Sequence, residues 1–482
     1  MISLPNHLTR ETTPDITDDV EMIRKILKAI GWIVTVVAGL GIAIYLIALA
    51  INWSDQDPSA AAVELANLYR DRPRITDEDN GFIYVMGFAV AVGDDPYQMG
   101  LKRVAWLQKS NPLVPLDPAQ DPLTERFDYK AKRTPAVRDF IDACKPGSST
   151  CTVAFNAGDM VFEQWAASED WLLQRYRQLI GHRGWRESVP FDVAAPLPSY
   201  SLVMHGQKLL LLNARALAKR GECEHVRDLL EADLSFWRKV LESSDTLITK
   251  MIATVAITRN FEMGNLVLRE VQPKEIMSAV PTGWSTPISE SERAMRRVLA
   301  GEWMFMSAAL RKTDADLYVL NDESVIAWTL RHLLMPLYQR QDSINRNAAY
   351  LVEMNQLLSA PLDRYESAVN RTAELAERTR RESLPPRSLY NVAGRVLIGI
   401  GAYDFGTYAR RFADLEGVRR AALLSVTLRA ENVRATELNA ALSASALREP
   451  YHNRPFEADA NAGAVVFRGL TIGERSVHRI YY

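Results

Sequence analysis

Seven histidines and three cysteines are the first places to look for chemistry in this 482-residue chain. His7, His182, His205, His225, His332, His452 and His478 stand well apart, and no two fall at metal-ligand spacing. His205 follows Leu202-Val203-Met204. Beside those apolar neighbours it reads as a hydrogen-bonded core histidine, with a site residue as the alternative. Glu222-Cys223-Glu224-His225 has the residue types of a metal cluster but reads as a helix start, where acids are favoured. The chain has no phosphate loop, no dinucleotide fingerprint, no His-Glu-x-x-His and no Gly-x-Ser-x-Gly. A Ser or Cys nucleophile meeting a histidine only in space stays open. No catalytic, cofactor-binding or metal-ligating residue is assigned.

Two ionisable residues stand out by their surroundings. Lys250 lies in Asp245–Phe261, a stretch apolar nearly all round, with Thr246, Leu247, Ala253 and Thr254 as its helical neighbours. It is close to a helix N-terminus, where the macrodipole disfavours a cation. Glu302 has Val298, Leu299, Phe305 and Met306 around it. An unpaired buried charge costs several kcal/mol. Lys250 and Glu302 are therefore expected to pair, as a lock between helices or the polar floor of a pocket. The alternative is a head that snorkels to water. The Arg378, Arg380 and Arg381 run reads as a solvated helix face, with lipid or partner contact as the alternative. Tyr403, Phe405 and Tyr408 read as core aromatics rather than a groove lining.

These side chains need elements to hold them, and the clearest element is apolar. From Ala29 to Trp53 no residue is charged. Twenty-five helical residues span roughly 37 Å, enough to cross a hydrocarbon core of about 30 Å with some tilt. Trp32 and Trp53 stand near the ends, where interfacial rings belong. The run is longer than the core of a cleavable signal peptide, so a retained anchor is expected. Gly39 and Ala43 form a small-xxx-small spacing, read as small residues scattered in an apolar helix. Arg24, Lys25 and Lys28 precede the span; Asp55, Asp57 and Glu64 follow it. The positive-inside rule then puts residues 1–28 in the cytoplasm and the bulk of the chain outside. The expected location is a bacterial inner membrane, crossed once, with the bulk periplasmic.

An outside location permits disulfides. Cys144 and Cys151 flank the turn-forming Lys145-Pro146-Gly147-Ser148-Ser149-Thr150, so they are expected to bond and Cys223 to stay free. Closing so short a ring contributes about 2.5 kcal/mol in the loop-entropy picture.

The expected fold class is mostly α: one N-terminal transmembrane helix, then a large irregular helical domain with minor β elements. The expected divisions are a tail 1–28, the span 29–53, a membrane-proximal mixed segment 54–134, a helical domain 135–446 and a C-terminal β/turn cap 447–482. Residues 56–70 read as a helix continuing out of the membrane. Phe82–Val92 reads as a short strand, being rich in aromatic and β-branched residues. Further helices are expected at 97–110, 135–145, 157–181, 199–220, 223–242, 245–270, 288–312, 322–339, 342–358, 361–382, 392–401 and 404–431. Gly221 is expected to be the turn of a helical hairpin, and Ser243-Ser244-Asp245 the cap of the next helix. Ala464–Phe467 and Ile480–Tyr482 read as strands.

Four segments carry a likeness. Leu247-Ile248-Thr249-Lys250-Met251-Ile252-Ala253, Asn391-Val392-Ala393-Gly394-Arg395, Asp414-Leu415-Glu416-Gly417-Val418-Arg419-Arg420 and Glu449-Pro450-Tyr451-His452-Asn453-Arg454-Pro455-Phe456 resemble stretches of uncharacterised proteobacterial membrane-anchored proteins. The last is similar to an Asp-Pro-Tyr/Phe-Thr-Gly-x-Pro ending, from which Glu449, His452 and Asn453 depart. The resemblance covers about half the chain. It implies an anchored helical protein and brings no activity with it.

A formal net charge of −2 gives no electrostatic case for nucleic acid. The sequence therefore reads as a single-pass inner-membrane protein with a binding or scaffolding role in the cell envelope. Its expected partners are membrane lipid, through the anchor, and an envelope protein or ligand that the sequence does not name. The alternative is a periplasmic enzyme acting on an envelope substrate. Convergent ionisable side chains in one deep pocket would favour the enzyme; an open apolar or charged groove would favour binding.

Overall fold

The computed structural model describes residues 16–109, 116–123, 155, 159–192, 195–316, 325–384 and 388–482. Cys144, Cys151 and the helix expected at 135–145 lie outside them.

The first helix, α1 (Ile16–Ile51), begins well before the charge-free run and ends two residues short of Trp53. Its section Glu21–Ile51 is long and apolar enough to cross a membrane, and its most apolar stretch is almost wholly exposed. The chain then breaks, so α2 (Ala60–Arg70) is a separate helix rather than a continuation of α1. Ser59 caps α2 by accepting the Ala62 N–H.

Residues 82–92 are not a strand. Asn80 accepts the Phe82 N–H and starts a one-turn-and-a-half helix, α3 (Gly81–Met86), followed by turns. α3 is buried on every side, so its β-branched and aromatic residues satisfy packing without a pleated surface. α4 (Pro96–Lys109) packs on it.

The body is built round α8 (Leu247–Leu268), reached through α5 (Asp159–Ile180), α6 (Tyr200–Lys219) and α7 (Cys223–Ser243). A helix apolar nearly all round must be enclosed. α6 and α7 cover one side of α8, and α14 (Gly406–Ala430) covers another. Gly221, at φ +75°, makes the α6–α7 turn as expected. The cap of α8 is Thr246, whose hydroxyl accepts the Thr249 N–H, and not Ser243-Ser244-Asp245.

Outside this core lie α9 (Arg296–Asp316), α10 (Val325–Leu334), α11 (Arg340–Leu358), α12 (Leu362–Ser383) and α13 (Val392–Gly401). α9 packs on α2 and α11, and α12 packs on α11, α13 and α14. A short helix, α15 (Leu438–Ala444), leads to an antiparallel sheet in the order β1 (Glu457–Asp459), β2 (Ala464–Arg468), β3 (Val477–Tyr481). Two strands match expectation and β1 is additional. The sheet lies on α14 and α8. Leu65, Phe82, Leu107, Trp237, Phe261, Leu351 and Phe467 belong to one hydrophobic core.

The end of α1 is fastened to this body. Asn52 donates to Leu389 O at 2.7 Å and accepts from Asn391 N at 2.7 Å, and Gln339 Nε2 donates to Asn52 O at 2.7 Å. Asp55 accepts the N–H groups of Gln341 and Asp342, at 2.6 and 3.0 Å, and so caps α11 from a distant part of the chain.

Candidate functional site

Two open clefts meet where α2, the C-terminal end of α7, the start of α9 and the 184–186 turn come together. One has a volume of about 520 Å³ and is lined by Trp185, Arg186, Lys239, Glu242 and Arg296, among others. The second, of about 620 Å³, runs along Glu64, Asn67, Asp71 and Arg72. Leu68, Pro73, Arg296 and Arg297 line both.

Behind this wall sits a buried set of charges. Arg72 projects from the end of α2 and pairs with Asp245, both nearly sealed from solvent. The same guanidinium donates to Tyr69 O at 2.9 Å and Glu187 O at 3.0 Å, and lies 3.6 Å from the Tyr69 ring centroid. Asp245 also takes a hydrogen bond from Arg297 Nη2 at 2.9 Å. Its own N–H and that of Thr246 donate to Glu187 Oε1, at 3.1 and 3.3 Å. Burial first, and the Asp245 charge second, push the Glu187 carboxyl up to about 7. α9 can approach because residue 301 is glycine: a Cβ there would stand 1.8 Å from Asp245 O.

Lys250 lies deeper, and it does not pair with Glu302. Its ammonium donates to Leu241 O at 2.6 Å and Glu292 O at 2.8 Å. Leu241 belongs to the last turn of α7, whose carbonyl end attracts a cation. That placement answers the unfavourable N-terminus of α8. Phe412 adds its ring at 5.3 Å. Burial, partly opposed by the Glu292 charge, still lowers the ammonium to about 7. Glu302 is half-buried and faces the Leu247 backbone N–H, and burial raises its carboxyl.

None of the other candidates lines the two clefts. His205 is half-buried on α6. Cys223 is free and buried at the start of α7, where His225 Nδ1 lies 2.9 Å from Glu222. Arg378 pairs with Glu353 of α11, and Arg380 and Arg381 pair with Glu377 on the solvent side of α12. Tyr403 and Tyr408 lie with Phe405 in one cluster, with Phe405 buried and Tyr403 half exposed. Gly39 and Ala43 sit on the exposed surface of α1. Among the described residues no group of three or more His, Cys, Asp or Glu could hold a metal.

Sequence reasoning missed Asp233, which is fully buried. It accepts from Tyr176 Oη, from Gln207 Nε2 at 3.0 Å and from Asn260 Nδ2 at 2.9 Å, and so joins α5, α6, α7 and α8. The signal was present: Asp233 shares a face with Val226, Leu230 and Trp237. The segments around Asn391, Asp414 and Glu449 also hold hubs. Asn391 caps α13 through the Gly394 N–H, at 3.1 Å. Asp414 accepts from Tyr451 Oη, Leu470 N and Thr471 N. Glu416 holds Arg419, Arg420 and the Ile288 N–H. Glu449 accepts the N–H groups of Tyr451, His452 and Arg454.

No family model, curated protein or solved structure matches this chain.

Proposed function

We propose that this chain is a single-pass inner-membrane protein whose helical body lies in the periplasm and binds an anionic envelope component at the double cleft. We place it with the proteobacterial membrane-anchored proteins that it resembles. The anchored half of the reading is supported by α1, whose apolar stretch is almost wholly exposed, while the helical body gathers most of its described apolar side chains into one core. A phosphatase fused after residue 60 is expected to be active, and a fusion there that works only as a cytoplasmic reporter would reverse the orientation.

The binding half is carried by one observation: among the described residues Arg186 and Lys239 line the cleft without an ion-pair partner, whereas the lining acids Glu64 and Asp71 are paired with Arg296 and Arg70, Glu242 stands alone on the rim, and Glu187 and Asp245 are sealed behind the wall. Glu187 and Asp245 are held by backbone N–H groups, Arg72 and Arg297. Among the described residues Arg186 and Lys239 have no carboxylate partner. An open charged groove can hold a ligand of opposite charge by complementarity. A fluorescent acidic peptide should therefore bind the full-length protein in detergent. Reversing both charges (Arg186→Glu with Lys239→Glu) should weaken that binding at least tenfold in an anisotropy titration. The pair Arg380→Glu with Arg381→Glu should leave it unchanged. Equal losses in the two double variants would mean diffuse attraction and no site.

A further inference from the structure

The exit of α1 is also the start of α13. Asn52 is hydrogen-bonded to Leu389 and Asn391, and Asn391 is the N-cap of α13. Asn391 takes up a left-handed backbone, at φ +52°, to make both connections. α13 reads Val-Ala-Gly-Arg-Val-Leu-Ile-Gly-Ile-Gly. One side, with Gly394, Ile398 and Gly399, is buried. Ala393, Val396, Leu397 and Ile400 fall at i, i+3, i+4 and i+7, a single stripe. None of the four is buried, and Ile400 is 77% exposed. The only charge on α13 is Arg395, which donates to Glu382 O.

The surroundings continue the stripe. The turn Met335–Leu337 touches α1, α10 and α13 alike. α10 presents Trp328, Leu333 and Leu334 to solvent. Trp53, one residue past the fastening, is 89% exposed. An apolar apron therefore surrounds the point where the span leaves the membrane.

We propose that this apron, with α13 at its centre, rests in the interfacial layer of the same bilayer that α1 crosses, and that Leu397 and Ile400 enter it. The proposal rests on the anchored reading above. A 10-residue helix is about 15 Å long, so α13, tied at its first turn to the exit, stays within about that distance of the membrane surface. The interfacial layer itself is about 5–7 Å deep on each side. A short amphipathic helix whose apolar stripe is free, next to exposed tryptophans, matches the chemistry of that layer. Lying there also removes from water a patch that would otherwise promote association.

The test uses the full-length protein in vesicles of phosphatidylethanolamine and phosphatidylglycerol. A photoreactive benzophenone amino acid is placed at Ile400, at Leu397 or, in the middle of α1, at Val36. Irradiation should give a mass increase of one phospholipid at Ile400 and Leu397, with a yield of the same order as at Val36. Lipid adducts at Val36 with none at Ile400 and Leu397, or with protein–protein adducts there instead, would overturn this proposal and leave the anchor standing. Absence of lipid adducts at Val36 would remove the anchored reading, and this proposal with it.

Discussion

Replacing Arg72 by Met is expected to lower stability by about 3–5 kcal/mol, because it leaves a buried carboxylate without its main partner. Arg72 and Asp245 come from positions 173 residues apart and are almost fully enclosed. Arg297 would remain on Asp245, but its side chain is one-quarter exposed, so it compensates only in part. Glu187 stands directly behind, and the Asp245 charge already opposes its ionisation. Methionine also gives up the hydrogen bonds to Tyr69 O and Glu187 O. The second replacement, Asp245→Asn, separates pairing from packing. With no charge left to strand, the double variant should lose less than the sum of the singles, by at least 1 kcal/mol or so. Urea unfolding of the detergent-solubilised protein, followed by far-ultraviolet circular dichroism, measures all four corners of the cycle. Additive losses would show that Arg72 acts through its methylenes and its carbonyl contacts alone.

What the sequence revealed and concealed follows from the range of each interaction. The membrane-length helix, the Gly221 hairpin and the helical body depend on patterns within about twenty residues, and they could be read. The same patterns failed at 82–92. There a side-chain cap from Asn80 and enclosure by α4 and α5 decide for helix over residues that favour strands. Lys250 stands out in the sequence as a cation in an apolar stretch, since its i±3 and i±4 neighbours are visible. Its partners were not visible. They are carbonyl oxygens 9 and 42 residues away, and any residue type carries a carbonyl. A buried cation does not require a carboxylate such as Glu302, because the carbonyl end of a neighbouring helix serves. The break after Ile51 was hidden for the same reason, because Asn52 is held by residues more than 280 positions later. The cleft is assembled from four separate segments, so no local spacing foretells it.

Lys250 makes stability depend on pH in a window that its replacement should erase. Its ammonium titrates near 7 in the folded chain, against 10.5 when exposed. Below about pH 7 both states carry the proton, and the lysine adds no slope. Between about 7 and 10.5 the unfolded chain holds one proton more than the folded one. Unfolding then takes up a proton, and stability rises with pH by about 1.4 kcal/mol per unit. Glu187 acts with the opposite sign in a lower window. Its folded carboxyl titrates near 7 rather than 4.5, so its contribution falls as pH rises from about 4.5 to 7 and is flat above. The enclosed hydroxyls of Tyr84 and Tyr200 are pushed upward, so their contribution begins to fall only near pH 10. Between pH 7.5 and 9.5 the lysine is thus separated from both, and it should add roughly 2.5 kcal/mol. Lys250→Met has no proton to exchange. It leaves Leu241 O and Glu292 O without their donor, a cost independent of pH, so the slope and not the absolute stability is the readout. Unfolding midpoints measured across that range should rise more steeply in the parent protein than in the variant. The difference in slope belongs to the lysine, because Arg429, lowered by burial to about 9, and His478, in which burial is outweighed by Glu262 and the pKa raised, titrate alike in both. Parallel lines would mean that Lys250 keeps its proton throughout and that the two carbonyl oxygens stabilise the charged form as well as water does.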